Sequence, residues 1–140
     1  MSTTESNKAV IAKFLDEVIN QNRMDRANDL VVEDFVELDP FPGQQQGREG
    51  LKELLGMMRA AFPDMHWVVE EMVAEGATVV TRFTWTGTHR GVFLGVPATG
   101  RSVSVKGVVM DQLADGKMSH SRMLMDSMGM MQQLGVVGSA

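Results

Sequence analysis

The 140-residue chain contains no cysteine, which excludes disulfide staples, thiolate nucleophiles and zinc–thiolate centres. Tyrosine is absent too, so no phenol is available for acid–base work. Histidines number three. His66 and His120 have no third histidine or carboxylate at ligand spacing, so no metal site is expected. Positive charge is in deficit: the net charge is −5 and no basic stripe is present. That argues against nucleic acid and anionic membrane surfaces as partners. No apolar run approaches the roughly 18 residues needed to span a bilayer, and the opening MSTTESNKAV lacks an apolar signal-peptide core. The expectation is a soluble, cytoplasmic protein.

What the chain does have is globular: 44% hydrophobic and 22% charged residues, with no repeat, linker or low-complexity tract. Residues 1–140 are expected to form one domain, long enough to bury roughly 70% of the unfolded surface. The stretch Thr78–Asp126 organises it. Val79, Thr81, Phe83 and Trp85 alternate with Val80, Arg82, Thr84 and Thr86. Val103, Val105, Gly107 and Val109 alternate with Ser102, Ser104, Lys106 and Val108. A period of two in β-branched and aromatic residues marks pleated strands with two different faces. Asp115-Gly116 tolerates positive φ at both positions and predicts a tight hairpin into SHSRMLMD.

Before this sheet, Asn7–Gln21 reads as an amphipathic helix carrying Val10, Ile11, Phe14, Leu15, Val18 and Ile19 on one stripe, with Ser6 as its N-cap. Asp25 is expected to cap a short helix over RANDLVV, after which EDFVELDP turns extended. Phe41–Gln46 reads as a loop. Arg48–Phe62 predicts a third helix ended by Pro63, and Met65–Ala74 a strand turned by Glu75-Gly76. After Asp126, SMGMMQQLG predicts a short helix stopped at Gly135. Helices first and a meander last make an α+β domain: a cone-shaped, curved antiparallel sheet packed against three N-terminal helices.

The segments GTHRGVFLGVPATGR (Gly87–Arg101), ADGKM and D..GMMQQLG (Asp126–Gly135) resemble the SnoaL-like polyketide cyclase family, within the nuclear-transport-factor-2-like superfamily. The resemblance spans essentially the whole chain. It implies one SnoaL-like cone domain, a pocket inside the cone and a homodimer formed through the sheet. In the anthracycline-type cyclases of that family an aspartate on the last strand is the acid/base of an intramolecular aldol closure, helped by a glutamine and a histidine on the preceding strand. Laid on that pattern, the glutamine falls on Gly107, the histidine on Val109 and the aspartate on Met123. All three positions have lost their polar groups.

The candidate chemistry is therefore sought elsewhere. Asp126, beside Met123, Met125 and Met128, is either a displaced acid/base with a raised pKa or the N-cap of the terminal helix. Glu37 and Asp39, at i and i+2 of the first strand, share a face by the pocket mouth, where one can be protonated and the other ionised. His89 either donates to a substrate carbonyl or bonds the backbone of its own loop. Arg82 and Lys106 sit opposite Phe83 and Val105, on a solvated or dimer-facing outer surface unless Arg82 turns in to polarise an oxyanion. Seven of the thirteen methionines lie between Met110 and Met131. Methionine suits irregular apolar cavities, so Met58, Met123 and Met125, with Phe35, Trp67 and Trp85, are expected to line a large pocket for a flat apolar ligand.

The resulting expectation is a cofactor-independent enzyme acting on a hydrophobic, polyketide-like small molecule. It would abstract a proton beside a carbonyl and then close or isomerise a ring, with Asp126 as acid/base and Asp39, Glu37 and His89 assisting. Two alternatives are a non-catalytic ligand-binding module and an epoxide-opening hydrolase. The latter requires two acids and Arg82 to converge inside the cone.

Overall fold

A computed structural model describes residues 3–137. Helix α1 (Thr3–Lys13) runs on into a π-helical segment, Phe14–Asn20. A 3-10 turn (Met24–Arg26), a one-turn helix α2 (Ala27–Leu30) and strand β1 (Val31–Glu37) follow. Helix α3 (Gly47–Ala61) precedes strands β2 (His66–Glu75), β3 (Thr78–Thr88), β4 (Ser102–Ala114) and β5 (Lys117–Met125), and α4 (Ser127–Leu134) closes the described chain. The strand order is β1-β5-β4-β3-β2. The α+β class and the curved sheet under the helices are as the sequence implies. The sheet is open and mixed rather than wholly antiparallel, because β1 joins β5 in parallel.

The local differences have local causes. Helix α1 begins at Thr3 and contains Ser6 rather than being capped by it. Val31 and Val32 leave the second helix for β1, where β-branched residues pack better. Asp25 lies inside the 3-10 turn, whose N-cap position is Arg23. Both φ values at Asp115 and Gly116 are positive, 50° and 79°, as a two-residue hairpin of this hand requires. Gly135 ends α4 in the left-handed conformation at φ 80°.

The core lies between the helices and the inner sheet face. Ile11, Phe14, Leu15, Val18 and Ile19 bury the stripe of the first helix, and Leu51, Leu54, Leu55 and Met58 that of α3. They meet Phe35, Trp67, Phe83, Trp85 and the inward valines of β4. Arg59 ties three elements together, donating to the carbonyls of Ile19, Pro63 and Met65. At the far end of β4, where β5 no longer pairs, the Gln133 amide takes over the ladder. Its Oε1 accepts from Ser104 N at 2.6 Å and its Nε2 donates to Ser104 O at 3.0 Å. Among the described residues no helix is long and apolar enough to cross a membrane.

Candidate active site

Strand parity places the polar groups. Along β4, residues 103, 105, 109, 111 and 113 are buried while their even-numbered neighbours are exposed. Asp111 is therefore an acid on an otherwise apolar inner face, 2% exposed. Its partner across β5 is Ser121, which in turn stands opposite Glu37 of β1. Glu37, Ser121 and Asp111 thus form one row across three adjacent strands, and all three are buried.

This row lies on the wall of an internal hollow of about 50 Å³. Phe14 and Leu15 from the first helix, Leu55 and Met58 from α3, Phe35, Trp67, Val109 and Met123 enclose the rest. A hollow of this size takes a few waters or a single functional group. The large cavity expected from the methionine content is not there: leucine, phenylalanine and isoleucine side chains of the helices fill most of the cone. A roomier groove of about 390 Å³ opens outside it, walled by Asp39, Pro40, Phe41, Pro42, Met123 and Met125. Met123 is on the wall of both spaces.

Electrostatics single out the two acids. Burial pushes the Asp111 carboxyl from 3.8 up to about 7, a hydrogen bond from Ser121 offsets part of that, and the charge of Glu37 adds to the rise. Glu37 is likewise raised from 4.5 to about 7, chiefly by burial, with Asp39 N donating to its Oε2 at 3.2 Å. Gln46 holds Glu37 in place, accepting from its N–H at 3.0 Å and donating to its carbonyl at 3.2 Å. The glutamine-rich loop is thereby fastened to the end of β1. Asp111 Oδ1 and Trp67 Nε1 are both buried without a hydrogen-bond partner, an expense of roughly 1–3 kcal/mol each.

Of the residues singled out from the sequence, Phe35, Glu37, Met58, Trp67, Val109 and Met123 come together at the hollow, and Asp39 and Met125 at the outer groove. Trp85 is buried behind Trp67, its Nε1 donating to Met125 Sδ at 3.2 Å. Gly107 lies under the Phe83 ring: a Cβ there would stand 2.5 Å from Phe83 Cζ and 2.8 Å from the Leu124 carbonyl oxygen. Asp126 caps α4, accepting from Gly129 N at 2.8 Å, and is exposed. The Asp39 carboxylate lies 3.5 Å from the Arg122 guanidinium on the surface. His89 is fully buried away from the acids, stacked on Phe62 and tied through Nδ1 to Thr99 Oγ1 at 3.0 Å. Its backbone also bridges Arg101 O and Gly100 N, so it organises its own loop. Arg82 and Lys106 face outward, Arg82 lying 3.4 Å from Glu71.

Asp111 is the group that sequence reasoning missed. The available signal was its odd-numbered parity with Val103, Val105 and Val109, which makes it the one charge on that apolar face.

A family model described as SnoaL-like polyketide cyclase matches residues 9–134. No curated protein matches the chain. Among solved structures, IdmH from Streptomyces antibioticus, a candidate polyketide cyclase, is 30% identical with a TM-score of 0.81, over 93% of this chain and 99% of its own. A candidate SnoaL-like polyketide cyclase from Jannaschia sp. CCS1 is 26% identical with a TM-score of 0.87, over 99% and 98%. TsrD from Streptomyces laurentii is 25% identical with a TM-score of 0.88, over 98% and 99%.

Proposed function

The chain belongs to the SnoaL-like polyketide cyclase family, and from that premise we propose that it is a cofactor-independent enzyme that closes or isomerises a hydrophobic carbonyl compound, with Glu37 and Asp111 as its acid/base pair. The observation that carries this reading is the row Glu37–Ser121–Asp111 on the wall of the hollow. Burial holds both carboxyls near neutrality, and the charge of Glu37 raises Asp111 further, so the two do not both ionise readily at neutral pH. The Asp39 amide favours the charge on Glu37, leaving the proton on Asp111. Glu37 then takes a proton from the carbon beside the substrate carbonyl, while Asp111 donates to the carbonyl oxygen. The resulting enol carbon attacks a second carbonyl of the same molecule, the enol oxygen returns its proton to Asp111 as its carbonyl re-forms, and the new alkoxide collects the proton held by Glu37. Carboxyl groups poised near pH 7 suit both directions of transfer.

Size divides the substrate between the two spaces. A polycycle occupies the groove of about 390 Å³ and sends only its reacting carbonyl past Met123 into the hollow. The epoxide-opening alternative loses its support, since Arg82 is on the outer face beside Glu71. On that face Val108, Met110 and Leu124 are exposed, Leu124 by 70%. A homodimer through this surface is part of the same proposal, and large exposed apolar patches of this kind mark interfaces.

The test is α-carbon deuterium exchange of 2-tetralone in D₂O, followed by proton NMR. Wild type is expected to accelerate exchange, and Glu37→Gln and Asp111→Asn each to slow it by about 10²–10⁴, the usual worth of a positioned acid or base. Asp126→Asn is expected to keep the wild-type rate. Equal rates in all four proteins would overturn the assignment.

A further inference from the structure

Trp67 presents the second unmatched polar group of the hollow. Its backbone is clamped by Asn20, whose Oδ1 accepts from Trp67 N at 2.7 Å and whose Nδ2 donates to Trp67 O at 2.9 Å. Its ring is fixed as well, stacked on Phe83 at 4.4 Å and on Trp85 at 6.2 Å. The residue is 5% exposed, lines the hollow, and its Nε1–H has no partner. The neighbouring Trp85, by contrast, has its N–H satisfied by a methionine sulfur. Packing alone therefore does not explain an unpaired indole N–H here, because the same stack contains an indole that is paired.

Trp67, with its unpaired donor, and Asp111, with its unpaired carboxyl oxygen, both line this hollow of about 50 Å³. Its complement is a single oxygen that accepts from the indole and shares a proton with the carboxyl. A carbonyl that becomes an enol is such a group; an amine or an ammonium is not, since neither can accept from Trp67 while bonded to a protonated acid.

We propose that Trp67 is a catalytic residue whose Nε1–H, together with Asp111, binds the developing enolate oxygen, and that the hollow selects a compact enolisable ketone head. The indole N–H is a preorganised donor: it needs no reorientation as charge builds on the oxygen, which is what makes such donors effective in a water-poor site. Trp67 can only donate, so it cannot take over the proton transfer assigned to the acids. The proposal rests on the acid-pair reading for its reaction but not for its geometry.

The experiment uses phenol as an enol mimic and toluene as the same shape without oxygen. Two tryptophans give two indole N–H signals in a ¹⁵N–¹H spectrum, assigned by Trp67→Phe. Titration with phenol is expected to move the Trp67 signal downfield and leave the Trp85 signal nearly still, whereas toluene moves neither downfield. Trp67→Phe keeps the ring stack and is expected to weaken phenol binding about tenfold, the worth of one buried hydrogen bond. A Trp67 signal that does not respond, or failure of phenol to bind, overturns the proposal. The acid-pair reading is checked separately in the free protein, by following the side-chain carboxyl carbons of Glu37 and Asp111 with pH. Apparent pKa values near the ordinary carboxylate range would sink that reading while leaving the Trp67 result standing on its own.

Discussion

Replacing Asp111 by Asn removes a titrating proton from the core and changes little else. The amide has the shape of the carboxyl, and its oxygen still accepts from Ser121. In the native protein the carboxyl titrates at about 7 against 3.8 when unfolded. Between those values the native state holds more protons than the unfolded one, so stability falls as pH rises. The neutral carboxyl's contribution is fully present below about 3.8 and is lost as pH passes through about 7. At one tenfold change in equilibrium per pH unit, the loss amounts to roughly 4 kcal/mol. A chain of 140 residues unfolds with an entropy of about 0.3 kcal/mol per kelvin, which makes the loss worth on the order of 10 °C in Tm. The assay is urea unfolding of both proteins from pH 4 to pH 8, read as the difference between them so that the surface acids cancel and the buried pair remains. Asp111→Asn is expected to gain on wild type steadily across pH 4–7 and then hold a constant lead. A difference that does not vary with pH would refute the burial of an uncompensated acid at this position.

Two further outcomes follow from the packing. Gly107→Ala places a methyl group 2.8 Å from the Leu124 carbonyl and against the Phe83 ring; overpacking of this kind costs about 1–3 kcal/mol, and an unchanged urea midpoint would contradict it. Leu124→Glu puts a charge in the exposed apolar patch of the outer sheet face; sedimentation velocity is expected to show a wild-type dimer and a monomeric variant, and equal sedimentation of the two would remove the interface from this face.

The fold was legible because its signals are local and repeated. Alternation over Val79–Trp85 and Val103–Val109, the Asp115-Gly116 turn and the stripe of the first helix each follow from a few neighbouring residues. The parallel docking of β1 on β5 was not legible, because register between distant strands is set by tertiary contacts. The candidate site was half legible. Glu37, Trp67, Met58 and Met123 were picked out for the pocket, and the structure puts them on its wall. Asp126 is adjacent in sequence to the methionines that wall the groove, yet the first turn of α4 claims its carboxylate. Asp111 was hidden among the polar letters of MDQL, where only the face of the strand distinguishes it from Gln112. The size of the hollow was beyond reach, since it depends on how the helix side chains interdigitate rather than on how many methionines the chain contains.

The parallel contact between β1 and β5 has a consequence for how the molecule assembles. Glu37 lies in β1 and Asp111 and Ser121 in β4 and β5, so the two acids join one row only when strands distant in sequence are brought together. The β2–β5 meander can form without any electrostatic penalty from the pair; the repulsion arises at the single event in which β1 docks. In alkaline solution that event becomes harder, on top of the cost of burying the ionised Asp111. The edge strand that completes the wall of the hollow is thereby also the one whose amides should lose protection against hydrogen exchange first.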